Sequence, residues 1–298
     1  NRSYSILVLY HRERDNSLIT ILRKMGHTVR SVDNQNASSQ DLTKLALQND
    51  ILDSMTEFDF VYMCPPCTSS NAAQDPPLRT YPDHPRGVPG LTGRRLKLVT
   101  DGNAHFDFCA EVIRRCNAGR VPWAFESCAG RRYKDKAEWL LFKSIGFAWD
   151  YPPISRVLND TDAVYHLSAQ CQWGAPYQKY TGHMTSNGPA AKAFGNILAA
   201  GAECTCAKHQ VVLRGYDTDG IALTAKTEYL PKYSMALAQG IEDTCRLSDQ
   251  EGKPQSENKV WSWTEKLHSL KHNELEHEMM LASKEIPSPD APVTFGLS

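Results

Sequence analysis

No excess of either charge marks this sequence. Its 33 lysines and arginines face 34 aspartates and glutamates, for a formal net charge of -1. That balance excludes a globally basic nucleic-acid binder, so any nucleic-acid surface must be a local patch. No apolar run approaches the roughly 20 residues that span a bilayer, and no membrane partner is expected. Asn1-Arg2-Ser3-Tyr4 runs almost directly into an apolar segment and carries no signal-peptide pattern. The absence of an initiator methionine suggests a piece processed from a longer chain. Internal repeats are missing too. Nine cysteines in 298 residues are odd in number and too sparse for a disulfide scaffold. They imply a reducing, intracellular setting in which most act as small buried apolar groups.

What remains is an ordinary globular composition, long enough for one large α/β domain. Ser5 to Tyr10 (SILVLY) reads as a buried strand. Ser17 to Met25 has helical spacing and is closed by Gly26, and Thr28 to Val32 is β-rich. This strand–helix–strand order predicts a βαβ unit and the start of a parallel sheet. Asp41 to Leu47 looks helical, followed by Asp50-Ile51-Leu52. A third strand, Phe58 to Met63, stops at Cys64-Pro65-Pro66-Cys67. Residues 68 to 94 are polar, rich in proline and glycine, and expected to be a functional or disordered loop. A helix is expected over Leu96 to Ala118, a strand from Val121 to Phe125 ending at Glu126, and a short helix over Ala137 to Ile145. From Val164 onward short β-like pieces alternate with turns. Thr224 to Ile241 should be a helix entered through Pro231. The expected organisation is one domain over residues 1–247, then a linker and helical tail over 248–298.

The turn Pro65-Pro66-Cys67 carries most of the chemical information. Ligands of open parallel sheets bind beyond the carboxyl ends of the strands, so Cys67 points into the expected cleft. Glu126 stands at the equivalent end of its own strand. A thiol and a carboxyl group there can act together on one planar substrate.

The segments FDFVYMCPPCTSS, LRTYPDHPRGVPGLTG, WAFES, QCQWGAPYQKYTGHMTSN and KTEYLPKYSMALAQGI occur in that order over about residues 5 to 242. The series resembles the cytosine-5 DNA methyltransferases, most closely the short forms in retrotransposon polyproteins. The resemblance implies a Rossmann-like, S-adenosylmethionine-dependent methyltransferase fold with a mostly parallel central sheet, flanking helices and a helical C-terminal tail. It makes Cys67, presented by Pro66, the nucleophile that adds to C6 of cytosine. Glu126 would hold N3 of the base, and Lys179 stands where the family prefers arginine. For S-adenosyl-L-methionine, Asp33 matches the acid that binds the ribose and Asp50 the position contacting the adenine amino group, with Tyr10 and Pro65 lining the site. The implied partner is nucleic acid, DNA rather than RNA, with a nuclear location following from the family alone. The base would have to be out of the duplex stack.

The sequence departs from that pattern in three places. Residues 10 to 17 (YHRERDNS) contain none of the glycines that let backbone approach the cofactor. The usual Glu-Asn-Val is Glu126-Ser127-Cys128. Only 44 residues (182–225) separate GAPYQKYT from the segment KTEYLPKYSMALAQGI, little room for a target-recognition domain. These departures support an alternative expectation: an inactive methyltransferase-fold protein serving as a structural or interaction subunit, with partners on the tail.

Other features have simpler readings. Cys64-Pro65-Pro66-Cys67 is followed by TSSNAAQDPP, a poor helix start, which argues against a redox pair. Asp33 and Asp50 would also serve as local caps. Cys204, Cys206 and His209 offer at most three close metal donors with no second group following. They read as a surface loop, and no metal is expected. His268, His272 and His277 read as a solvated helix face, and Trp261 and Trp263 as anchors for the tail.

Overall fold

The run SILVL becomes strand β1 (Ser5–Leu9) in the computed structural model, which describes residues 2–72, 74–130, 144–211, 213, 227 and 229–251. Helix α1 (Leu18–Lys24) follows, with Ser17 as its N-cap accepting from the Thr20 amide at 3.4 Å. It ends at Gly26, whose φ of 94° is the left-handed geometry that glycine adopts without penalty. There Gly26 N–H donates to the Arg23 carbonyl and His27 N–H to that of Leu22, the paired bonds of a Schellman stop. Strand β2 (Thr28–Val32) then lies parallel to β1, as the strand–helix–strand order predicts.

The next helix falls later than its sequence suggests. Asp41 Oδ1 accepts from both the amide and the hydroxyl of Thr43, which holds residues 41–43 in a turn. Helix α2 therefore runs over Leu45–Asp53 and includes Asp50. Strand β3 (Phe60–Met63) leads to the proline turn, and α3 (Gly93–Gly119) closes the long loop. Strand β4 (Trp123–Cys128) extends two residues beyond Glu126. The physical reason is a change of partner. β3 pairs only through Phe125, whereas β6 (Tyr180–Thr185) runs antiparallel along Glu126, Ser127 and Cys128.

Helix α4 (Pro152–Asn159) precedes β5 (Val164–Ala169), and α5 (Pro189–Leu198) follows β6. Both helices lay in stretches where the sequence reading found none. Each begins with proline at its first position, where the missing N–H costs no helical bond. Helix α6 (Pro231–Gln250) starts at the expected proline and passes the expected linker start at Ser248. Its end is held to the core by Asp249, which accepts from Arg2 Nη1 at 2.7 Å and the Tyr4 hydroxyl at 3.0 Å. The expected helix at 137–145 lies almost wholly outside the described residues. So do residues 224–226 and the tail with Trp261, Trp263, His268, His272 and His277.

The sheet has six strands in the order β2-β1-β3-β4-β6-β5. β6 opposes both β4 and β5, so it alone runs against the other five, and the sheet is not purely parallel. Alternation along each strand sends side chains into two cores. Leu7, Leu9, Val61, Met63, Trp123 and Phe125 pack against α3 and α4. Ile6, Val8, Phe60, Tyr62 and Ala124 pack against α1, α5 and α6. This is a three-layer α/β/α arrangement. No helix among the described residues is long and apolar enough to cross a membrane.

Candidate active site

Met63 lies opposite Phe125 in the parallel β3–β4 pair. Pro65 and Pro66 have no amide hydrogen for a ladder, so β3 stops and the chain turns out of the sheet. Pro65 is buried and Pro66 exposed. The turn is then pinned at Cys67, whose carbonyl accepts from the Ser70 amide and from Asn71 Nδ2, each at 2.9 Å. Its side chain is thereby held beside the end of β4.

Period-two alternation puts Glu126 on the same face as Ala124, under α5 and α6. The carboxyl group is only 4% exposed, and burial raises its pKa to about 7. Lys179 and a hydrogen bond from the Cys64 thiol oppose that rise, while charge on Cys67 adds to it. Across the β4–β6 ladder Glu126 faces His183, which burial holds neutral with a pKa of about 3. His183 therefore brings no charge to the site.

Cys67 is shifted the other way. A hydrogen bond from the Cys128 thiol lowers its pKa, burial opposes this, and the Lys179 ammonium lowers it further, to about 6. Cys128 has one proton and two acceptors within reach, Cys67 and the Ser70 carbonyl at 3.2 Å. A thiolate is the stronger acceptor of the two, so ionised Cys67 should take that proton's hydrogen bond. Burial alone would lower the pKa of Lys179. The charges of Cys67 and Glu126 more than offset this, and it stays protonated. Its Nζ also donates to Thr227 Oγ1 at 2.9 Å.

The fold thus brings Cys67, Glu126 and Lys179 together. It also adds two groups that sequence reasoning missed. In the sequence Cys128 stands out only as the last position of the altered Glu126-Ser127-Cys128 triplet. Tyr229 donates its hydroxyl to Glu126 Oε2 and lies 3.6 Å from Cys64 Sγ. Its ring packs edge-on against Tyr233 and near His11, and Arg14 Nη2 holds its carbonyl at 3.2 Å. No local signal marks Tyr229, which stands 103 positions from its acid.

Two of the residues expected at a cofactor lie at the neighbouring strand ends. Tyr10 follows β1 with a φ of 62°, the left-handed backbone that glycine would take more easily. Its amide donates to the Val32 carbonyl at 2.9 Å and its ring meets His105 edge-on. Its hydroxyl is buried beside the Cys109 thiol, a weak sulfur partner, and meets no oxygen or nitrogen partner among the described residues. Asp33 follows β2 and is buried, which raises its carboxyl pKa; Oδ1 accepts from the Gln35 amide at 2.6 Å. Asp50 stands apart on α2, exposed and ion-paired to Arg30.

No family model and no curated protein matches the chain. Among solved structures, S. pombe Dnmt2 methyltransferase is similar at 10% identity with a TM-score of 0.35. The match covers 70% of this chain and 57% of that one, so the chain spans less than two thirds of its length. At that identity and score the likeness assigns neither a family nor an activity.

Proposed function

We propose that this chain is a methyltransferase-like enzyme acting on cytosine in nucleic acid, with Cys67 as nucleophile and S-adenosyl-L-methionine as methyl donor. One observation carries the reading. At the ends of adjacent strands, Cys67 is inclined to be a thiolate above about pH 6 while Glu126 stays a carboxylic acid below about pH 7. Nucleophile and acid in that pairing suit addition to the C5–C6 bond of cytosine. The Cys67 sulfur forms a bond to C6, and the displaced electron pair runs through the ring as Glu126 gives its proton to N3. Lys179 holds charge balance around both groups. When bound, S-adenosylmethionine would supply an electrophilic methyl group at C5. A solvent water then takes the C5 proton, which restores the double bond and expels the Cys67 thiolate, while Glu126 recovers its proton from N3.

The residues at the β1 and β2 ends fit such a donor. Asp33 offers a buried carboxylate for a ribose diol, and the Tyr10 hydroxyl is a buried polar group whose neighbour is only the weak Cys109 thiol. Calorimetric titration with S-adenosylmethionine and S-adenosylhomocysteine tests this. Micromolar binding is expected, weakened about tenfold or more in Asp33→Ala through loss of a charged hydrogen-bond acceptor. Labelled methyl should then appear on cytosine, with DNA and RNA substrates compared side by side. A folded protein that binds neither compound overturns the reading.

A second reading rests on Tyr229, whose hydroxyl already occupies the acid that would hold the base. In this arrangement the chain is a non-catalytic fold and the phenol is a permanent plug. Tyr229→Phe separates the two. If the tyrosine is a displaceable gate, removing its hydrogen bond to the neutral acid, worth about 1–1.5 kcal/mol, should lower the apparent KM for the base by roughly five- to tenfold. If it is a plug in an inert fold, thermal stability falls and no methyl transfer emerges.

A further inference from the structure

The segment after α5 holds Cys204, Cys206 and His209 with neither helix nor strand over residues 202–210. The fold supplies what the sequence lacked, a fourth donor. Cys171 lies in the short 3-10 turn Gln170–Trp173 after β5, and its sulfur joins the other three ligand atoms within 4.8 Å of one another. We propose that Cys171, Cys204, Cys206 and His209 bind one structural zinc ion.

The geometry and the donor chemistry both lead there. Zn–S bonds of about 2.3 Å and Zn–N bonds of about 2.0 Å in a tetrahedron place sulfurs about 3.8 Å apart, and sulfur and nitrogen about 3.5 Å apart. Cys204 Sγ and His209 Nε2 are already 3.3 Å apart. The remaining pairs, all within 4.8 Å, need to close by no more than about 1.0 Å between sulfurs and about 1.3 Å between sulfur and nitrogen to meet that tetrahedron. All four cysteine and histidine side chains are free of disulfides and carboxylates, a soft S3N set that selects zinc over magnesium or calcium. Four protein ligands leave no open position, which marks a structural rather than a catalytic ion.

A supporting residue stands outside the four. Gln172 Nε2 lies 3.8 Å from Cys206 Sγ and 3.9 Å from Cys171 Sγ, while its carbonyl accepts from Thr205 Oγ1 at 3.2 Å. An amide directed at two sulfurs disperses the net negative charge of three thiolates around one divalent ion. Each thiol gives up its proton to solvent as the metal binds. The ion would tie the 204–209 loop to the turn that leads into Lys179, since Gln170 N–H donates to the Lys179 carbonyl at 3.0 Å. It would thus brace the active-site cation without touching substrate.

The experiment is metal analysis of the whole chain purified under reducing conditions, followed by exchange with cobalt. About one zinc per chain is expected, and the cobalt form should show the visible bands of tetrahedral thiolate coordination. Cys171→Ser should lose the ion, and Gln172→Ala should weaken it about tenfold. Should Cys171→Ser fail to fold, Cys206→Ser, at an exposed position, gives the same readout. Absence of metal from the folded wild-type chain at micromolar free zinc overturns the proposal. So does zinc retained in full by Cys171→Ser and Cys206→Ser, which would place it elsewhere. Neither result depends on methyl transfer.

Discussion

Cys67→Ala is expected to reduce methyl transfer to cytosine by roughly 10⁴-fold or more, the scale seen when a covalent nucleophile is deleted. Fold and cofactor binding should survive, because the turn is pinned through the Cys67 carbonyl and the Cys128 thiol keeps the Ser70 carbonyl as an acceptor. The sharper test is the pH profile, which does not require turnover. Thiolate character at Cys67 should develop with a midpoint near pH 6 rather than 9. Alkylation by iodoacetamide, followed by mass spectrometry of the Cys67 peptide, reads that midpoint directly. Absolute rate is a weaker guide, because nucleophilicity falls with pKa by a Brønsted slope of about 0.4–0.5. Three units of lowered pKa then cost about 20-fold to 30-fold in intrinsic reactivity against a gain of about 100-fold in thiolate at pH 7. Only a several-fold advantage remains.

The causes of the shift can be separated by substitution. Cys128→Ala removes the hydrogen bond that contributes most and should raise the midpoint further than Lys179→Met does. Catalysis adds the second limb, since Glu126 must keep its proton and loses it near pH 7. A bell with its maximum between about pH 6 and 7 is expected, and Glu126→Gln should abolish the alkaline limb along with about 10²–10⁴-fold of rate. An alkylation midpoint near 9 in the wild type would remove the basis of the proposed mechanism.

The strand ends that frame this cluster were legible because their signals are local. A short apolar run closed by two prolines reads as a strand leaving a sheet, and Leu18 to Gly26 reads as a capped helix. Less could be read where the deciding partner is distant. Nothing near Glu126 announces that β6 will pair with it from the other side, extend β4 to Cys128 and reverse direction. The α2 boundary depended on the turn at Asp41 and Thr43 rather than on periodicity. Cys204, Cys206 and His209 were visible as a group, yet Cys171 belongs to them only because β5 ends where it does. Tyr229 is the same case in the active site.

The long loop after Cys67 was expected to be functional or disordered, and a single buried cation sets its shape. Arg79 is 1% exposed, and burial lowers its pKa only to about 10, so it remains charged at neutral pH. Its guanidinium donates to Ser69 Oγ, the Pro85 carbonyl, Asn103 Oδ1 and the Val99 carbonyl at 2.7 to 3.2 Å. It also lies 5.5 Å from the ring centroids of both Phe106 and Tyr151. Among the described residues its hydrogen-bond partners are carbonyl, amide and hydroxyl oxygens from the loop and from α3, with no carboxylate among them.

Arg79→Ala would leave those acceptors buried without donors and open a cavity between α3 and the loop. Relief from burying the cation offsets part of the loss, and a net destabilisation of roughly 3 kcal/mol is expected. In a domain of this size that lowers Tm by roughly 6–12 °C. Arg79→Lys should recover little, because one ammonium cannot reach acceptors arranged for a planar fork. Gly102 gives an independent check. A Cβ there would stand 2.4 Å from Ser69 Oγ and 2.9 Å from Arg79 Nη2, so Gly102→Ala should displace the same fork from the helix side. Since Ser69 lies two residues from Cys67, both variants should also increase Cys67 alkylation below the denaturation temperature. Wild-type Tm in Arg79→Ala would mean that the loop is ordered by something other than this cation. Lower Tm with unchanged alkylation would confine the effect of Arg79 to the α3 side and separate it from the nucleophile turn.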